Sequence, residues 1–111
     1  MPKQALKSDI LLLRPRGRQV DSRIFAMEQL GLSYIAGTAR AAGLTAEIVD
    51  GALEPDRYDA TLRETCNGDH LVIGFPIYPE TVRRVARDVD GLRARGIVTH
   101  VAVGNHLATL H

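Results

Sequence analysis

Ile10-Leu11-Leu12-Leu13 is an apolar run with no polar residue interleaved, set between Asp9 and Arg14. A strand wet on one side alternates apolar and polar residues. A run without alternation suits a strand covered on both faces, as in parallel sheets flanked by helices. Similar short runs recur and alternate with longer amphipathic stretches, the pattern of an α/β domain. Strands are expected at Asp9–Arg14, Thr45–Val49, His70–Phe75 and about Val98–Val103.

The helices follow from their punctuation. One is expected from about Gln29 to Ala42, with Leu32, Ile35, Ala36 and Ala39 on one stripe and Gly43 as its left-handed stop. Pro55 opens a second through Tyr58 and Leu62 to Cys66, which Asn67-Gly68 closes. Pro79 starts a third, whose buried stripe is Val82, Val85, Ala86, Val89 and Leu92, with Gly96 as stop. Between the first strand and first helix, Pro15 to about Glu28 reads as an arginine-rich loop longer than the usual connection.

These elements predict a Rossmann-like, flavodoxin-like three-layer α/β domain, its parallel strands ordered 2-1-3-4 by right-handed crossovers. Residues 1–8 form an N-terminal extension and 9–111 the domain. A sheet of this type normally continues with another strand and helix. Their absence predicts a truncated domain whose fourth-strand edge is covered by another polypeptide, or self-pairs as a homodimer.

Composition narrows the partners. Lys+Arg 14 against Asp+Glu 13 leaves a formal net charge of +1, which gives no case for nucleic acid or an anionic membrane. No apolar run nears the roughly 18 residues of a membrane span, and the short polar start carries no signal peptide, so a cytoplasmic protein is expected. Cys66 is the single cysteine, too few for an internal disulfide or an iron–sulfur cluster.

Ligands of such sheets bind beyond the carboxyl ends of the strands. Three segments meet there: Arg14-Pro15-Arg16-Gly17-Arg18, Gly74-Phe75-Pro76-Ile77-Tyr78-Pro79-Glu80-Thr81, and Gly104-Asn105-His106-Leu107-Ala108-Thr109. The first lacks the glycine patterns that cradle a dinucleotide or nucleoside triphosphate, and it lacks the hydroxyl-rich phosphate loop of a flavodoxin. Gly74 and Gly104 are positions where a bulky cofactor can approach backbone, and Phe75, Ile77 and Tyr78 offer apolar contact.

Taken in order, these segments resemble the N-terminal cobalamin-binding domain of cobalamin-dependent radical SAM enzymes. ILLLRPRG at Ile10–Gly17 is similar to its strand-then-proline opening, and LGLSYIAGTARAAGLTAEIVD at Leu30–Asp50 to its helix leading into a strand that ends in aspartate. HLVIGFPIYPET at His70–Thr81 and VAVGNHLAT at Val101–Thr109 resemble its third strand and its glycine-histidine-threonine turn. The resemblance implies a corrin lying over the carboxyl edge, in contact with Pro15, Arg16, Gly17, Gly74, Phe75, Pro76, Tyr78, Thr81, Gly104, Asn105, His106 and Thr109. Arg14–Val20 contains no histidine, so no lower cobalt ligand is expected from the first loop. It further implies a radical SAM catalytic domain as partner in a methyltransferase-type system. With its single cysteine, the chain is not a complete enzyme of that kind.

Pro76 stands where family loops carry a small hydroxyl residue, and Asn105 replaces a glycine. With the missing strand, these departures favour an alternative: a non-catalytic Rossmann-like interaction module that has lost its cofactor. The loop arginines Arg14, Arg16, Arg18 and Arg23 then read as a solvated docking face, and Asp50 as the cap of the next turn. His70 and His100 read as structural or solvated, and Cys66 as a semi-buried, inert residue.

Overall fold

The computed structural model describes residues 7–16 and 22–104, the side chains of 22–31 excepted. Its elements run β1 (Ile10–Arg14), α1 (Ser22–Ala41), β2 (Ala46–Asp50), α2 (Pro55–Glu64), β3 (Val72–Pro76), α3 (Val82–Ala94) and β4 (His100–Gly104). The strands form one sheet ordered β2-β1-β3-β4, with every neighbouring pair parallel. This is the expected Rossmann-like, flavodoxin-like order.

Alternation along β1 divides the core. Leu11 and Leu13 point to the side where α2 and α3 deliver Tyr58, Val85 and Leu92, joined by Val49, Ile73 and Phe75. Leu12 points the other way and packs with Leu32 and Ala36 of α1. The unalternated apolar run is thus explained by burial on both faces.

Several boundaries differ from expectation. Helix α1 begins at Ser22, so the second half of the expected long loop is helix. Arg23, Ala26, Met27 and Glu28 are good helix formers with no glycine or proline among them, and extending a formed helix needs no new nucleus. Helix α2 stops at Glu64 because Thr65 turns extended at φ −63, ψ 141. Helix α3 starts at Val82, with Pro79 in the preceding turn and Thr81 at the N-cap position. Strand β2 begins at Ala46 because the Asp9 carboxylate accepts from both the backbone and hydroxyl of Thr45, fastening its entry to β1.

The stripes are narrower than expected. Leu32, Ala36 and Ala39 are buried, but Ile35 is 49% exposed at the flank of α1. On α3, Val85 and Leu92 are buried while Val82 and Ala86 are exposed, and Asp88 takes an inward position. Gly43 and Gly96 follow α1 and α3 at φ 83 and 82, the left-handed geometry of helix stops.

At the amino edge, His70 is buried with its Nδ1 against the hydroxyl (2.8 Å) and carbonyl (3.0 Å) of Ser8, a structural contact that ties residue 8 to the sheet.

Candidate functional site at the carboxyl edge

The ends of β1, β3 and β4 lie side by side, and backbone bonds join the β3 exit to β4 and the β2 exit to β1. The Ile77 amide donates to the Gly104 carbonyl at 2.9 Å, and the Gly51 amide to the Arg14 carbonyl at 2.7 Å. Gly51 sits so close that a Cβ would stand 3.0 Å from that carbonyl and 3.1 Å from the Tyr58 ring.

Arg14 is not part of a docking face. Its guanidinium donates to the Asp50 carboxylate at 2.7 Å, and both side chains are more than nine-tenths buried. The same Asp50 oxygen accepts from the Ala52 amide at 2.9 Å, which gives Asp50 its expected place as a turn cap. Of the loop arginines, Arg16 is exposed, while Arg18 and the side chain of Arg23 lie outside the described residues.

The expected contact residues separate. Pro15 and Pro76 are buried, Tyr78 is half-buried and Gly104 half-buried. Phe75 is not at the ligand edge: it belongs to the core with Ile73 and Val85, because its position in β3 faces α3. Gly74 does not clear space for a cofactor either. A Cβ there would lie 2.9 Å from Leu12 Cδ2, so the missing side chain accommodates a core leucine. Thr81 directs its hydroxyl at the Tyr78 peptide, accepting from the amide at 3.2 Å. At Gly104 no described atom lies within 4 Å of the would-be Cβ. Gly17, Asn105, His106 and Thr109 lie outside the described residues.

His70 and His100 precede β3 and begin β4, so both stand at the amino edge, opposite these loops. Among the described residues no group of His, Cys, Asp and Glu is arranged to hold a metal ion. Cys66 is exposed, not semi-buried, because α2 ends before it. No helix among the described residues is long and apolar enough to cross a membrane.

A polar cluster that the sequence reading missed lies between α2 and α3. The Tyr58 hydroxyl donates to Asp88 at 2.7 Å, and Arg84 donates to Asp88 at 2.9 Å and to Asp59 at 3.1 Å. Burial, then the bond to the Asp88 carboxylate, pushes the Tyr58 phenol far above the ordinary tyrosine range. The only sequence signal was an acid at a helical spacing from Val85 and Leu92.

Chemically, the described residues of the carboxyl edge offer backbone groups, the Arg16 guanidinium, the Tyr78 ring and a Gly104 with no described atom near its would-be Cβ. Among them no nucleophile is paired with a base. Comparison with family models, curated proteins and solved structures gives no match.

Proposed function

We propose that the chain is a cobalamin-binding domain, or a descendant of one, that holds a corrin over the carboxyl edge of its sheet in a radical SAM methyltransferase-type system. The observation that carries this reading is Gly104, which ends β4 beside the β3 exit with no described atom where a side chain would stand. A flat, bulky ligand needs such an approach to backbone, and the switch point between β1 and β3 lies next to it. In support, the segment from Leu30 to Asp50 that resembles the cobalamin domains spans much of α1 and all of β2.

Arg16, Tyr78 and Gly104 are the described residues placed to meet the corrin and its amide arms. When bound, the cofactor supplies the methyl-transfer chemistry at cobalt, and this chain orients it. Titration with hydroxocobalamin and methylcobalamin, read by visible absorbance and calorimetry, tests the reading. Saturable micromolar or tighter binding with a shifted corrin spectrum is the expected result. A folded chain that leaves both spectra unchanged would overturn it.

One observation favours the alternative of a cofactor-free interaction module. Among the described residues strand β4 is the sheet edge, and His100, Ala102 and Val103 along it are exposed, Val103 at 53%. An edge strand with free backbone groups and apolar side chains is a pairing surface. Sedimentation at rising concentration, together with the absence of corrin binding, would select this reading.

A further inference from the structure

Beyond the carboxyl edge, the outer face of the domain holds a groove between α2 and α3. Leu62, Gly91 and Leu92 contribute its apolar part, and Arg63, Arg87 and Arg95 its charge. Arg95 fixes one end, donating to the carbonyl of Leu62 and, at 2.8 Å, to that of Thr65. Its two bonds go to neutral acceptors, so its positive charge is not neutralised. Arg63 and Arg87 are exposed and make no hydrogen bond or ion pair among the described residues. Asp88 is the single carboxylate in the lining, and Tyr58 and Arg84 already hold it.

Gly91 supplies an independent observation. Glycine inside a helix is less stable than alanine because the unfolded chain has more freedom to lose. The Gly91 backbone has no left-handed φ, and no described atom lies within 4 Å of its would-be Cβ. Packing within the domain therefore does not require glycine there. The bare backbone would let a second molecule lie close to the helix.

We propose that this groove docks an acidic segment of a partner protein, one that places a branched apolar side chain over Gly91 and carboxylates against Arg63 and Arg87. Charge complementarity selects acidic residues, and planar guanidinium forks suit carboxylates. The half-exposed apolar surface of Leu62, beside the bare Gly91 backbone and over the buried Leu92, favours a peptide over a free anion, which would leave that surface uncovered. The inference does not depend on cobalamin binding.

A fluorescein-labelled peptide of alternating glutamate and leucine, read by anisotropy at low salt, tests it. Saturable binding is expected, falling at least about tenfold in Arg63→Glu/Arg87→Glu and at higher ionic strength. Arg40→Glu, on the opposite face, is expected to leave the affinity unchanged. Gly91→Ala is expected to raise the melting temperature by about 4 °C while weakening the peptide. No saturable binding by the folded chain would overturn the proposal, as would equal affinity for a glutamine-for-glutamate peptide. Competition by inorganic phosphate at the peptide's own affinity would reduce the groove to a simple anion site and overturn it too. A Gly91→Ala chain that binds the peptide unchanged would remove the docking geometry.

Discussion

Arg14 and Asp50 are direct neighbours in the parallel register of β1 and β2, and their side chains close a 2.7 Å ion pair at the carboxyl ends of the two strands. The pair lies beneath the loops, with Gly51 folded against the Arg14 carbonyl. It holds the ends of the strands level where the candidate site begins. An arginine that looks like surface charge in the sequence is therefore internal scaffolding.

Breaking that pair from one side takes the guanidinium away from a buried carboxylate. Arg14→Met is expected to cost about 3 kcal/mol, because Asp50 stays buried with a charged hydrogen-bond donor removed. Urea unfolding measures it. The double variant Arg14→Met/Asp50→Leu is expected to recover much of the loss, since apolar replacement removes the buried carboxylate as well.

Tyr58 links stability to alkaline pH. Its phenol is held well above the ordinary value of 10.0 by burial and then by the Asp88 bond. Above about pH 10 the unfolded tyrosine loses its proton while the folded one keeps it, so the native state binds more protons and stability falls as pH rises. Tyr58→Phe is expected to flatten that alkaline slope and to cost about 1 to 2 kcal/mol at neutral pH. Unfolding curves collected from neutral to alkaline pH check both effects.

Gly74 and Leu12 test packing against cofactor clearance. Gly74→Ala brings a Cβ to 2.9 Å from Leu12 Cδ2, and Leu12 is itself pinned by Leu32 and Ala36. A destabilisation of about 1 to 2 kcal/mol is expected. Adding Leu12→Val should offset part of it, and thermal melts of the two variants show whether the sites couple.

The edge strand gives a prediction for the interaction reading. Two β4 strands paired antiparallel about a two-fold at Ala102 place Val101 of one copy opposite Val103 of the other. Sedimentation is expected to show concentration-dependent association. Ala102→Lys sets two ammonium groups together on the axis and is expected to leave only monomer, with little cost to folding because Ala102 is exposed.

The fold was legible because its signals are local. The unbroken apolar run at Ile10–Leu13 marked a doubly covered strand, and Gly43 and Gly96 marked helix stops that the backbone confirms at positive φ. The start of α1 was not legible, because arginines suggest loop while costing a helix almost nothing. The site was harder. Arg14, Phe75 and Gly74 were singled out for residue type, but each is claimed by the fold: Arg14 by Asp50, Phe75 by the core and Gly74 by Leu12. Which face a strand residue presents depends on register and packing, and a run apolar on both faces gives no sequence cue to which side is which.

Gly104 is the position where site and fold can be separated most cleanly. No described atom lies within 4 Å of its would-be Cβ, and it ends a strand, where a β-branched residue fits the backbone. Gly104→Val is therefore expected to melt within a few degrees of the parent chain while losing at least about tenfold in corrin affinity, equivalent to about 1.4 kcal/mol of binding. His106→Ala, two residues further along the sequence, is expected to weaken the corrin as well. If the parent chain binds hydroxocobalamin and Gly104→Val binds it equally well, the cofactor lies elsewhere on the sheet. Loss of affinity without loss of stability places it against the β4 exit, because no change in packing remains to account for the effect.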